Sequence, residues 1–249
     1  MSALDEYLVA LDALPRAERD KVVADAQKAT AKHIWVPNPG PQTAAYFSEA
    51  DELLFGGEAG GGKSDLGIGL ALTAHNRSLV LRRTNKEAEK LFDRFEEIIG
   101  NSDGKNSQKG WRFEDRIIDI GGCQLEADKQ KRKGIAHDLK FFDELVDFSR
   151  TQYEFITTWT RSRNPKQRTR IVATTNPPTT PEGMWVVERW AAWLDPKHPN
   201  PAKDGELRWF TAGPDGKEIE VDGRGPHDIN GKQVFAKSRT FIRSKLSDN

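Results

Sequence analysis

The sequence is most informative first in what it lacks. Among 249 residues there is one cysteine, Cys123, so no internal disulfide can form, and the chain suits a reducing compartment. A lone thiol of this kind is expected as a buried structural side chain. No apolar run approaches the ~20 residues of a membrane span, and the N-terminus has no basic-then-apolar leader. No membrane partner is therefore expected. There is no excess of either charge: 38 basic residues balance 38 acidic ones. Overall charge thus argues neither for nor against nucleic acid, and only local clusters can. Hydrophobic residues make up 36% of the chain, enough for a real core under a heavily charged surface.

Glycine is abundant in one place. Residues 56–65 read GGEAGGGKSD, five glycines in ten positions. The stretch fits G-x-x-x-x-G-K-[ST], with Gly57, Glu58, Ala59, Gly60, Gly61, Gly62, Lys63 and Ser64, followed by Asp65. Such a loop wraps a triphosphate: bare backbone lets N–H groups converge on phosphate oxygens. The lysine reaches the β- and γ-phosphates and the serine hydroxyl ligates Mg²⁺. The motif carries meaning only between a strand and a helix. ELLFGG (52–57) reads as the strand. KSDLGIGLALTAH (63–75) reads as the helix, with Leu66, Leu70 and Ala74 on one face. The bound cofactors expected are ATP and Mg²⁺.

The rest of the chain alternates strands and helices. Residues 3–30 look helical, with Leu4, Leu8 and Leu11 on one face and a second helix starting at Pro15. WVPNPGPQ (35–42) is a proline-rich connector. SLVLRR is a strand. Thr84 caps the helix that follows, with Glu87 at its third position and Gly100 as its stop. WRFEDRIIDIGGCQLEAD predicts a hairpin turning at Gly121-Gly122. LKFFDE and RTRIVATTNPP are further strands, with a helix between them. From residue 201 the pattern changes to short strands and turns. The expected class is α/β, a P-loop NTPase of the RecA-like kind: a mainly parallel sheet flanked by helices, with a C-terminal β-hairpin elaboration. The expected divisions are 1–34 helical, 35–200 ATPase core and 201–249 hairpin extension.

FFDE ends its strand with Asp143 and Glu144. The aspartate suits an outer-sphere or water-mediated contact to Mg²⁺, and the glutamate can deprotonate a water that attacks the γ-phosphate. Thr174, Thr175 and Asn176 end a strand expected beside the phosphate strand, where polar groups can sense the γ-phosphate. Gln42, fixed by prolines about twenty residues before the loop, can read an adenine edge with its amide. Each piece alone also has a structural explanation as a cap or turn.

Together these pieces resemble the ATPase domain of the large terminase subunit of tailed bacteriophages, the motor that packages double-stranded DNA into capsids. WVPNPGPQ, FGGEAGGGKS, VLRRT, KGIAHDLKFFDE, ATTNPP and the closing TFIRSKLSDN carry the resemblance along nearly the whole chain. It implies that Lys63 and Ser64 hold phosphates and Mg²⁺, that Asp143 supports the metal, that Glu144 activates water, and that Thr174 to Asn176 couple hydrolysis to movement. It implies viral DNA, the small terminase subunit and the portal protein as partners, a pentameric ring on the portal and a monomer in isolation. It places the protein in the host cytoplasm and transiently at the procapsid portal, not in the mature virion. The family's closing segment leads into a nuclease domain; this chain is expected to be the ATPase domain without it, and so not to cut DNA. The family loop often carries an arginine, whereas this one has none. Arg132 or Lys133, just ahead of the Asp-Glu strand, is the expected replacement, offered to a neighbouring subunit; Arg82 and Arg83 are the other basic pair. The competing readings are a helicase-like ATPase, a P-loop kinase and a nucleotide-dependent scaffold. Steady hydrolysis stimulated by DNA or partner proteins separates the motor from the last two.

Overall fold

The structure, a computed structural model, describes residues 9–30, 32–58, 60, 62–107 and 110–244. The positions Leu4, Leu8, Ala59 and Gly61 lie outside the described residues. In chain order the helices are α1 (Arg16–Thr30), α2 (Pro41–Phe47), α3 (Lys63–Thr73), α4 (Asn85–Ile99), α5 (Arg150–Thr157), α6 (Met184–Arg189) and α7 (Ala191–Leu194). The strands are β1 (Glu52–Gly57), β2 (Arg77–Arg82), β3 (Lys105–Asn106), β4 (Gly110–Arg112), β5 (Ile117–Gly122), β6 (Leu139–Phe142), β7 (Arg170–Thr175), β8 (Arg208–Ala212), β9 (Glu218–Val221), β10 (His227–Ile229), β11 (Lys232–Val234) and β12 (Lys237–Ser244). No described helix is long and apolar enough to cross a membrane.

Ten strands form one sheet in the order β3-β4-β5-β2-β6-β7-β1-β12-β8-β9. The six central strands, β5 through β12, run parallel, and the antiparallel strands sit at the two edges. Central parallel strands are covered on both faces and so read as continuous apolar runs. Side chains still alternate between faces. Leu53 and Phe55 join Leu66, Leu70, Val80, Phe141 and Val172 under α3 and α4. Leu54 joins Leu79, Leu81, Phe142 and Ala173 against Tyr153, Trp185 and Trp190 on the opposite face. Cys123 is buried in this second cluster.

Local signals hold where local chemistry decides. Thr84 caps α4 with a complete capping box to Glu87, and Gly100 ends the helix at φ 77°. Pro15 opens α1, its carbonyl accepting from Glu18 N at 2.9 Å. Elsewhere tertiary packing overrides. The connector 35–42 turns helical at its end, because Pro41 starts α2 and Gln42 lies in its first turn. The hairpin near Gly121-Gly122 is corrected: the turn lies between β4 and β5, where Phe113 N donates to Arg116 O at 2.8 Å. Gly121 and Gly122 continue β5 beside β2. They are small because the chain packs against them; a Cβ on Gly122 would meet Asn85 N at 2.6 Å. After residue 201 the chain returns to the sheet, where β12 pairs along the whole of β1.

Candidate active site

The strand–loop–helix unit is β1, residues 58–62 and α3. Gly57 leaves β1 at φ 145°, and a Cβ there would stand 2.0 Å from Ser244 O. Gly62 turns the chain into α3 in the left-handed region, at φ 63°. It provides no side-chain cap, so the first-turn N–H groups and the positive end of the helix dipole face an incoming anion. Lys63 is buried and bends back over the loop, its amine donating to the Glu58 carbonyl. Burial lowers its pKa, while the carboxylates of Glu144 and Asp143 pull it back up.

Strand β7 lies between β1 and β6, so the Asp-Glu strand is one position removed from the phosphate strand. That spacing brings Asp143 across to the loop. Its carboxylate accepts from Ser64 Oγ at 3.0 Å on each oxygen and from Thr174 Oγ1 at 2.6 Å. Oδ2 also takes the Arg82 guanidinium, with Nε and Nη2 each at 2.6 Å. Asp143 is buried, whereas the Arg82 side chain keeps 21% of its surface exposed. A serine hydroxyl beside a carboxylate oxygen is a donor set suited to Mg²⁺, which binds one or two protein oxygens and completes its shell with phosphate and water. Ser64 and Asp143 are the residues here that could hold that ion, directly or through water.

Glu144 follows in the left-handed region at φ 57°, a conformation costly for a non-glycine residue. This backbone turn aims its side chain across the end of the sheet towards β7. There Asn176 Nδ2 donates to both carboxylate oxygens, at 3.1 and 3.2 Å. Burial raises the Glu144 pKa, and the neighbouring Asp143 charge adds to the rise. Glu144 is thus a stronger base than an ordinary carboxylate, held by an amide that does not take its proton. Thr175 is buried and donates to the Asn176 carbonyl at 2.8 Å.

The structure thus brings together Gly57, Gly62, Lys63, Ser64, Asp143, Glu144, Thr174 and Asn176. Other expected site residues are placed differently. Asp65 turns away towards α4, where Arg94 grips its carboxylate at 2.7 and 3.0 Å. Gln42 has its amide engaged at both ends: the oxygen accepts from Asn38 N at 2.5 Å and the nitrogen donates to Gly62 O at 2.8 Å. As placed, it ties α2 to the phosphate loop. Gly60 and the Glu58 side chain are exposed along the loop. Arg132 is half-buried, with its guanidinium over Gly121 and reaching Gly122 O at 3.4 Å. Lys133, next to it, is exposed. Arg83 is structural, bridging Cys123 O at 3.0 Å and Gln152 Oε1 at 2.6 Å.

The contact between Arg82 and Asp143 is absent from the sequence reading. Its signal is the register of β2 against β6, which pairs Leu81 with Phe142 and so makes the next residues on each strand neighbours.

At the level of sequence, neither a family model nor a curated protein matches the chain. Solved structures do. The large terminase from the thermophilic bacteriophage D6E superposes with a TM-score of 0.51 at 13% identity, over 86% of this chain and 47% of that one. The HK97 bacteriophage large terminase gives 0.47 at 12% identity, over 64% and 36%. The large terminase ATPase domain of Thermus phage P74-26 gives 0.42 at 12%, over 67% and 77%. The chain therefore spans about half the length of the D6E protein, and over that half it has the large-terminase fold, a mostly parallel P-loop sheet flanked by helices.

Proposed function

We propose that this chain is the ATP-hydrolysing motor domain of a large terminase, which drives double-stranded viral DNA into a procapsid. The observation that carries the reading is Glu144, one strand away from the phosphate loop and held by Asn176 through both carboxylate oxygens. A phosphate loop alone serves kinases and ATPases alike. A carboxylate with a raised pKa at this position, oriented by an amide, suits water as the acceptor.

In this reading the loop N–H groups and Lys63 hold the β- and γ-phosphates of ATP. Ser64 and Asp143 would hold Mg²⁺, which when bound would supply positive charge to the phosphates. Glu144 accepts the proton of a water as its oxygen attacks the γ-phosphorus. The bond from that phosphorus to the β–γ bridging oxygen breaks, and ADP and phosphate leave. Asn176 loses or regains its grip on Glu144 as the γ-phosphate comes and goes. It stands at the start of Pro177-Pro178, a stiff segment that can carry the change outward.

The partners belong to the same reading: viral DNA, the small terminase subunit, the portal protein and neighbouring copies in a ring of about five, with the isolated chain monomeric. So does a place in the host cytoplasm and, during packaging, at the portal. Fluorescent-nucleotide binding tests the site. Lys63→Ala should abolish tight ATP binding, and DNA with procapsids should raise the parent's turnover. An ATP affinity unchanged by Lys63→Ala would remove the basis of the reading.

A further inference from the structure

The phosphate loop contains no arginine, yet the site contains one. Asp143 has about four lone-pair positions on its two oxygens. Four donors meet them: Ser64 Oγ, Thr174 Oγ1, and Arg82 Nε and Nη2. The carboxylate is saturated. A divalent ion arriving at Asp143 competes with the guanidinium that holds Oδ2, since two cations at that separation repel.

We propose that Arg82 is an in-chain switching cation: it neutralises Asp143 in the nucleotide-free protein and moves to the terminal phosphoryl group when Mg·ATP arrives. The proposal rests on the ATPase reading above. Metal binding at Asp143 releases the guanidinium. The nearest strong new anion is then the γ-phosphate, held by Lys63 at the same end of the sheet. A guanidinium fork matches phosphate oxygens in two-point geometry, where an ammonium gives only a point charge. The partial exposure of Arg82 leaves it room to swing, unlike Arg83, which is tied to Cys123 and Gln152. Among the described residues Arg82 is the one cation within ion-pair distance of Asp143 or Glu144. Charge developing in the transition state is then met from within the chain. Arg132 is half-buried over Gly121, and Lys133 is not needed for this step.

The test compares the parent with Arg82→Gln, Arg82→Lys and Lys63→Ala. Mn²⁺ binding to nucleotide-free protein is read by electron paramagnetic resonance. Affinity for a slowly hydrolysed ATP analogue is read by fluorescence with Mg²⁺ and with chelator, and melting curves confirm folding. Arg82→Gln should bind Mn²⁺ at least roughly tenfold more tightly than the parent without nucleotide, because Asp143 is released. It should bind the Mg²⁺-complexed analogue more weakly and hydrolyse ATP roughly 10²–10³-fold more slowly, as for loss of one charge-stabilising donor. Arg82→Lys should lie between on every readout, and it decides the matter if Arg82→Gln does not fold. Equal Mn²⁺ affinity in the parent and Arg82→Gln overturns the switch, and unchanged affinity and turnover overturn the phosphoryl contact. If Lys63→Ala loses nucleotide while the Arg82 variants match the parent, the ATPase reading stands and the Arg82 proposal alone fails. If the parent binds no ATP, both fall together.

Discussion

Lys140 stands in the middle of β6 with no solvent exposure, in a strand otherwise made of leucine and phenylalanine. Its amine reaches His137 Nδ1 at 2.8 Å and Ile135 O at 3.4 Å, and His137 Nε2 meets Asp119 Oδ2 at 3.0 Å. A protonated lysine only donates, so Nδ1 accepts and Nε2–H donates to Asp119. Burial pushes the Lys140 pKa from 10.5 down to about 7; Arg132, Arg77 and Arg161 push the same way, and Asp119 opposes them. At about 1.4 kcal/mol per unit, the buried ammonium costs about 5 kcal/mol below pH 7. Lys140→Met keeps an unbranched side chain of similar length and removes the charge. It leaves one close acceptor, His137 Nδ1, without its donor, at about 1–3 kcal/mol, so the net gain at pH 6 should be about 2–4 kcal/mol. The folded pKa lies below the unfolded one, so the unfolded chain binds more protons between pH 7 and 10.5. The parent must therefore gain stability as pH rises through that window. The advantage of the methionine variant should shrink over the same range and reverse near pH 10. Denaturant unfolding followed by tryptophan fluorescence at pH 6, 8 and 10 measures it. His137, whose pKa is lowered by burial and also by the Lys140 charge, titrates below this window. A loss of equal size at all three pH values would refute the reasoning and make Lys140 a required hydrogen-bond donor.

Glu52 is buried under Arg189, Arg239 and Tyr153, with Arg189 at 2.6 and 2.9 Å. Burial alone would raise its pKa, but the two arginines hold it far below the usual carboxylate range. Its contribution is complete above about pH 4.5 and is lost as pH falls towards the depressed folded value. Glu52→Gln should cost about 3–5 kcal/mol at pH 7, because two arginines lose their counter-charge, and the loss should fade in acid unfolding curves. Gly67→Ala in α3 should destabilise despite alanine's better helix propensity: the new Cβ would stand 2.2 Å from the buried Phe141 ring. Overpacking of about 1–3 kcal/mol outweighs a propensity gain of about 1 kcal/mol, and Phe141→Leu should restore part of the loss in the double variant's melting temperature.

What the sequence revealed was local. The loop with its strand and helix was legible because its spacing encodes one backbone path. The cap at Thr84 was legible because Glu87 is one turn away. Asp143 and Glu144 could be picked out because a strand has an end. What was missed depends on partners distant in sequence. The Gly121-Gly122 pair looks like a turn, yet its small size serves close packing by Asn85 and Arg132. Arg132 looks like a free surface cation until β5 is placed beneath it. The pairing of Arg82 with Asp143 spans 61 residues and needs the order of β2 and β6. Likewise, β12 returns beside β1 across 187 residues, a pairing that turn signals do not encode.

The central claim is that Glu144 takes a proton from water at the γ-phosphate. Phosphate release by the parent and Glu144→Gln, measured at saturating Mg·ATP beside nucleotide affinity, tests it most directly. The amide cannot accept a proton, so turnover should fall by roughly 10²–10⁴, with affinity within a few-fold of the parent. Phosphate release by Glu144→Gln at the parent's rate would contradict the account.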